Sequence, residues 1–407
     1  MSATAGSGGG ATRAVVVDDS RFMRTLIRGL LEDGGIEVVG EADDGSTALA
    51  AVIEHNPDVV TMDIEMPTTN GIQAVEEIMS ERPTPVLMLS AHAEEDADVT
   101  FEALDRGAVD FVTKPGGEVT SSMPRVKREL VEKVESAARV DLSATARLSS
   151  RDRDNTGRDP ETAPTPSADN ASGAATTASG SSSTRRASPS GPASGTDAPG
   201  SAGAGSTADT APSYPDVGTL VVGASTGGPK VVERVLADLP RAANLRVLVV
   251  QHMPEGFTGR FATRLDGRSG YDVREAEPGE RIEAGDARVA PGDHHLVTTS
   301  DRNGRLRLEL TETEPVHGVR PAIDITMASA VESVDGPLCG ALLTGMGRDG
   351  VDGVRRVDRG GGHTIAQDEA TSAIFGMPRR AIESGCVDTV APAEGIAERA
   401  LEYFIED

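Results

Sequence analysis

Residues 149–216 of this 407-residue chain contain no Leu, Ile, Val, Met, Phe, Trp, Cys or Lys. Ser, Ala, Gly, Thr, Pro and Asp dominate instead. A stretch of this kind has too little apolar surface to offset the entropy lost on ordering a chain. It reads as a disordered linker, with an r.m.s. span of roughly 45 Å if it behaves as a flexible coil. The chain therefore divides into a folded domain over residues 12–138, a linker over 139–216 and a second folded domain over 217–407.

Charge narrows the partners. Lys and Arg number 39 against 65 Asp and Glu, a net charge of −26. Nucleic acid and anionic membrane surfaces are bound through basic patches that release counterions, so neither is the expected partner. Lys occurs only at 114, 127, 133 and 230, and the other bases are Arg. Few Lys, abundant acid and 2% aromatic residues point to a chain kept soluble in concentrated salt, where screening removes self-repulsion. The acid lies on the domains: residues 1–140 hold 26 acids and 12 bases, and residues 215–407 hold 31 and 21. Cys339 and Cys386 supply neither a disulfide framework nor metal-ligand spacing. No apolar run approaches the ~18 residues of a membrane span, and the N-terminus lacks the apolar core of a signal peptide. The expected setting is cytoplasmic and not membrane-integral.

In the first domain, apolar runs at 13–17, 36–40, 59–62, 86–89 and 109–112 alternate with helical patterns. One helix is expected over 20–31, with Phe22, Leu26, Ile27 and Leu30 on one face, and a last one around Val126–Ala137. Five strands alternating with helices predict a parallel sheet covered on both faces. Asp18 and Asp19 follow the first strand, Asp63 the third, Ser90 the fourth and Lys114 the fifth. All then sit at carboxyl ends of strands, where such sheets bind ligands. Converging carboxylates call for a hard dication such as Mg²⁺, and Lys114 and Ser90 are suited to phosphoryl oxygens.

The second domain repeats the α/β grammar, with buried strands at 219–222, 246–250 and 338–343, helices at 230–239 and 258–265, and a more antiparallel stretch at 281–310 around Asn303–Gly304. The first strand runs into GASTGGP (223–229), which places Ser225 on a strand-to-helix turn beside backbone N–H groups. His252 of QHMP follows the next strand, where a general base reaches such a serine. Asp349 of LLTGMGRDG follows a third, where it orients the imidazole. The order Ser, His, Asp differs from that of the common α/β-hydrolases. His294 and His295 in APGDHHL read as a metal pair or as loop residues, and Asp324 in RPAID as an active-site acid or a helix cap. His55, His92, His317 and His363 have no ligand-like spacing, and Cys339 reads as core.

Residues 12–138 resemble the receiver domain of two-component response regulators, and the C-terminal motifs resemble the catalytic domain of chemotaxis protein-glutamate methylesterases, the CheB family. The resemblance implies a flavodoxin-like receiver joined to a Rossmann-like α/β methylesterase domain. It implies phosphorylation of Asp63 by a chemotaxis histidine kinase, Mg²⁺ at Asp18, Asp19 and Asp63, and Ser90 and Phe111 as switch hydroxyl and switch aromatic. In the second domain it implies Ser225, His252 and Asp349 as nucleophile, base and orienter, with an oxyanion hole from the main-chain N–H groups of Thr226 and Met346. His295 would line the site. The implied substrates are glutamate methyl esters on methyl-accepting chemotaxis receptors, with glutamine deamidation by the same chemistry and no cofactor in the catalytic domain. The unphosphorylated receiver would cover the active site, an expectation that so long a tether weakens. A catalytically silent adaptor, or a hydrolase of another ester or amide, remains open from sequence.

Overall fold

The computed structural model describes residues 11–67, 69–91, 96–115, 123–142, 214 and 217–405. Apart from residues 139–142 and Tyr214, the stretch read as a linker lies outside the described residues, as does His92.

The N-terminal domain runs β1 (Arg13–Val17), α1 (Arg21–Glu32), β2 (Glu37–Ala42), α2 (Gly45–His55), β3 (Val59–Asp63), α3 (Gly71–Glu81), β4 (Val86–Ser90), α4 (Ala97–Asp105), β5 (Asp110–Thr113) and α5 (Met123–Ala137). The five strands pair in parallel in the order β2-β1-β3-β4-β5. β3 and β4 are buried along their whole length, which is why they read as largely apolar runs. Short polar residues set the helix starts: Ser20, Asp44 and Asn70 accept from N–H groups of the first turns of α1, α2 and α3. One helical assignment needs correcting. Ile27, Leu30 and Leu31 form the buried face of α1, but Phe22 is 74% exposed. It lies in the first turn, just after the Asp18–Asp19 loop.

The C-terminal domain runs β6 (Gly218–Ala224), α6 (Gly228–Asp238), β7 (Leu245–Gln251), α7 (Phe257–Asp266), β8 (Asp272–Glu275), β9 (Arg281–Ile282), β10 (Asp286–Val289), β11 (His295–Arg302), β12 (Arg305–Thr311), α8 (Ile323–Ser333), β13 (Leu338–Leu342), α9 (Val351–Arg359), β14 (His363–Gln367), α10 (Met377–Glu383), β15 (Thr389–Ala391) and α11 (Ile396–Phe404). Seven strands form a parallel sheet, β15-β14-β13-β6-β7-β10-β8. Three form an antiparallel one, β11-β12-β9, whose hairpin turns at Asn303 and Gly304, with φ of 54° and 72°. The stretch 281–310 is therefore antiparallel only in part, because β10 joins the large sheet beside β7.

The two sheets are fastened by polar contacts as well as apolar ones. Arg246, fully buried on β7, pairs with Asp301 of β11 at 2.7 Å and donates to Thr219 Oγ1 of β6. Removing one partner of such a pair typically costs ~3–5 kcal/mol. α8 is tied to β11 by Thr326 Oγ1 donating to Leu296 O and by Thr298 N donating to Ser329 Oγ. This fixes the N-terminus of α8 next to the strand ends that carry the chemistry.

Candidate functional site

In the N-terminal sheet the strand order reverses between β1 and β3, and the acidic residues stand above that point. Asp18, Asp19 and Asp63 each present a carboxylate oxygen within 4.8 Å of the others. Lys114 Nζ lies 2.9 Å from Asp18 Oδ2 and 2.7 Å from Asp63 Oδ1. Burial pushes the Asp63 carboxyl up to about 6, against the opposing pull of Lys114, and the charge of Asp18 adds to the rise. Burial works against the Lys114 ammonium, but Asp63 and Asp18 outweigh it and hold its proton more tightly than usual. An all-oxygen, like-charged, partly desolvated donor set is what a hard dication requires, so these residues fit Mg²⁺. The Ser90 hydroxyl donates to Asp96 Oδ2 at 3.0 Å, and the Phe111 ring is buried against Phe101.

In the C-terminal sheet, Ser225, His252 and Asp349 follow β6, β7 and β13, and β6 lies between the other two strands. His252 Nε2 is 2.9 Å from Asp349 Oδ2. A carboxylate only accepts, so Nε2 carries the hydrogen and Nδ1 keeps its lone pair. The loops are cross-linked: Ser225 N donates to Thr344 O, His252 N to Ala224 O, and the Gln251 amide donates to the carbonyls of both Ser225 and His252. Gln251 belongs to the QHMP run that identified His252, but nothing in the sequence marks it as the clamp between the two loops.

Two glycines make room for this loop packing. Gly227, at φ 76°, turns the chain from Ser225 into α6. Gly345 lies so close to Ser225 that a Cβ on it would fall 2.6 Å from the serine Cβ. The N–H groups of Thr226 and Met346 have no acceptor among the described residues, which leaves both able to bind an anion.

Residues 220–400 match the CheB methylesterase family and residues 14–120 the response regulator receiver domain. A protein-glutamate methylesterase/protein-glutamine glutaminase of Haloarcula marismortui is 57% identical over 96% of this chain and 97% of its own length. The chain belongs to the CheB family. Relatives bearing the same name in Halobacterium salinarum (48% identical, 95% of this chain, 97% of the relative) and Thermotoga maritima (37%, 96% and 98%) are similarly complete.

Within the methylesterase domain, the Asp349 carboxylate rests on the start of α8. Asp349 Oδ2 also accepts from Ile323 N at 2.6 Å, and Oδ1 accepts from Asp324 N at 3.2 Å. Burial alone would raise the Asp349 carboxyl, but His252 and these two N–H groups outweigh it and hold it below the ordinary carboxylate range. His295 is fully buried, its Nδ1 accepting from Ala322 N and its Nε2 donating to Glu314 O. Burial lowers its affinity for a proton, so it is a neutral prop for the start of α8. Asp324 caps a helix as one sequence reading expected, but the helix is α9: its Oδ1 accepts from Gly353 N at 2.7 Å. Cys339 is core.

The receiver and the methylesterase domain touch through aromatic rings. Phe111 lies 4.3 Å from Phe257 between centroids, and Phe101 stacks on Phe261 at 5.8 Å. Around the rings, Asp105 pairs with Arg264 at 2.7 Å and with Arg268 at 3.7 Å, and both arginines also hold Glu233. Leu104, Ala108 and Val109 of the receiver share a cavity of about 20 Å³ with Gly227, Pro229 and Ala373. Met346 packs against the same apolar cluster as Val109.

Proposed function

We propose that this chain is a phosphorylation-controlled serine hydrolase that demethylates glutamate methyl esters of methyl-accepting chemotaxis receptors and deamidates receptor glutamines. The observation that carries the reading is the His252–Asp349 hydrogen bond, formed between the loops on either side of the strand that Ser225 follows. His252 Nδ1 takes the Ser225 proton as Oγ attacks the ester carbonyl. The resulting oxyanion is received by the N–H groups of Thr226 and Met346; one such donor typically supplies about 3 kcal/mol. The protonated imidazole returns its proton to the leaving methoxide, and methanol departs. Water, deprotonated by the same imidazole, then splits the acyl-enzyme and restores Ser225. With a glutamine substrate the leaving group is ammonia.

In the receiver, Asp63 is the phospho-acceptor, and a chemotaxis histidine kinase supplies the phosphoryl group. Asp18, Asp19 and Asp63 would hold Mg²⁺, which supplies charge neutralisation for the incoming phosphoryl group. Among the described residues no helix is long and apolar enough to cross a membrane. The proposed setting is the cytoplasm, with the receptors as membrane-bound substrate. Contact between receiver residues and the segments flanking Ser225 and Met346 supports a resting state in which the receiver covers the site. Phosphorylation replaces the Asp63 carboxylate with an acyl phosphate carrying roughly −1.5 to −2 charge and three acceptor oxygens, enough to bias that contact.

Methanol release from methyl-labelled receptor membranes tests the reading. The full chain is expected to release methanol, more so with a phosphodonor and Mg²⁺, and Ser225→Ala to release none. Retained release by Ser225→Ala would refute the serine mechanism.

A further inference from the structure

Behind the triad lies a second acid–imidazole pair. Asp324 is in the first turn of α8, 8% exposed, and its Oδ2 lies 3.1 Å from His317 Nε2. His317 occupies a tight turn closed by two hydrogen bonds between Val316 and Val319, with a φ of 54°, in the left-handed region that Gly, Asn, Asp and His enter more often than other residues. The two carboxylates are exchanged between neighbouring helices. Asp349, just before α9, accepts from the first two N–H groups of α8, while Asp324 in α8 accepts from Gly353 N in α9. All four carboxylate oxygens of Asp324 and Asp349 therefore accept hydrogen bonds, a closed network that accounts for the cluster of His317, Asp324 and Asp349 without an ion.

We propose that Asp324, held by His317, is a positioning residue of the triad: it locks the helix pair that presents Asp349 and deepens the negative potential in which the His252 imidazolium forms. The charged groups facing Asp324 are His317 from the turn, Asp349 beside α9 and Asp352 within it. Asp352 is itself paired with Arg355 and Arg348. Burial first, and then the charge of Asp349, make Asp324 harder to ionise than an ordinary Asp. The His317 N–H therefore matters, because it favours the anion. Loss of the Asp324 charge leaves His252 a weaker base, so the turn and the reacting serine are linked through two carboxylates.

The inference rests on the triad reading, and the test separates the two. Methanol release by the phosphorylated full chain is measured against pH for the wild type, Asp324→Asn, His317→Ala and His317→Gln, with Ser225→Ala alongside. Asp324→Asn is expected to lower kcat roughly tenfold, equivalent to about 1.4 kcal/mol, with KM little changed. The acid limb of its profile moves to lower pH. His317→Ala shifts in the same direction, and His317→Gln, which keeps an N–H at the side-chain tip and carries the same backbone cost, restores the wild-type profile. A loss equal at every pH with the acid limb unmoved would overturn the inference, as would a His317→Gln chain no better than His317→Ala. Where Asp324→Asn fails to fold, the two His317 variants decide. Activity in Ser225→Ala would overturn the triad itself, whereas an inactive Ser225→Ala with an unmoved acid limb overturns this inference alone.

Discussion

Asp105 is the last residue of α4, where the helix dipole disfavours an acid by ~0.3–1 kcal/mol. Its partners are across the interface, Arg264 and Arg268 of the methylesterase domain. Asp105→Arg is thus expected to leave the receiver as stable as before, or more so, while weakening its hold on the enzyme. Two partly exposed pairs are lost, each worth ~0.2–1 kcal/mol. Like charges placed together cost a similar amount. Glu233, which both arginines hold, offers the new guanidinium a partner and trims the total. The net is ~1–2 kcal/mol, or about 5–30-fold in the docking equilibrium.

Methanol release by the unphosphorylated chain is the assay, run from the lowest salt at which the far-ultraviolet circular dichroism stays native up to several molar KCl. Basal activity should rise about 5–30-fold at the low end. The rise should fade as the screening length drops to ~3 Å near 1 M and below that beyond it. The Phe101–Phe261 and Phe111–Phe257 contacts do not depend on charge, so they keep the wild type docked throughout. The phosphorylated rate should not change. An Asp105→Arg chain with wild-type basal activity at low salt would refute this account of how the receiver is held.

Two further outcomes follow from single side chains. Because burial holds Asp63 at about 6, a proton competes with Mg²⁺ for its carboxylate. Mg²⁺ affinity by calorimetry is expected to climb as pH rises through 6 and level off above 7. The raised value also means that stability from this group is full below pH ~4 and lost as pH rises through 6; an affinity flat from pH 5 to 8 would refute the assignment. Gly345→Ala would place a Cβ 2.5 Å from Met377 Cε and 2.6 Å from Ser225 Cβ. It should cost about 1–3 kcal/mol in denaturant unfolding and lower methanol release more than tenfold, and activity within twofold of the wild type would contradict the tight packing around Ser225.

The five strands of the first sheet, and β6, β7 and β13 of the second, were legible because they carry largely apolar runs, and the chemistry-bearing residues because they stand next to those runs; β8, β14 and β15 are too short or too polar to read that way. Ser225, His252 and Asp349 each follow such a run, and so do Asp18, Asp63 and Lys114. Residues that act from inside the fold left no such mark. His295 reads like its neighbour His294 until burial separates them, and His317 carries no ligand-like spacing because its partner, Asp324, is brought to it by a turn. Phe22 has the right helical phase for the core but sits in the first turn of α1, and only Ile27, Leu30 and Leu31 farther along the helix are buried. The short β10 carries Asp and Arg on a buried strand, so its place in the parallel sheet is hidden by the alternation of the hairpin that follows.

The position of β6 bears on how this protein is made. It is the first strand of its domain to be synthesised, yet it ends in the middle of the sheet. β7, β10 and β8, from the earlier half of the domain, cover one side, and β13, β14 and β15, from the later half, cover the other. Until more than a hundred further residues have emerged, the LVVG edge of β6 is open to unwanted pairing with other chains. His252 meanwhile waits 97 residues for Asp349. The nascent chain is thus aggregation-prone and chemically idle at once, and the strand that removes the hazard is the one that completes the hydrolase.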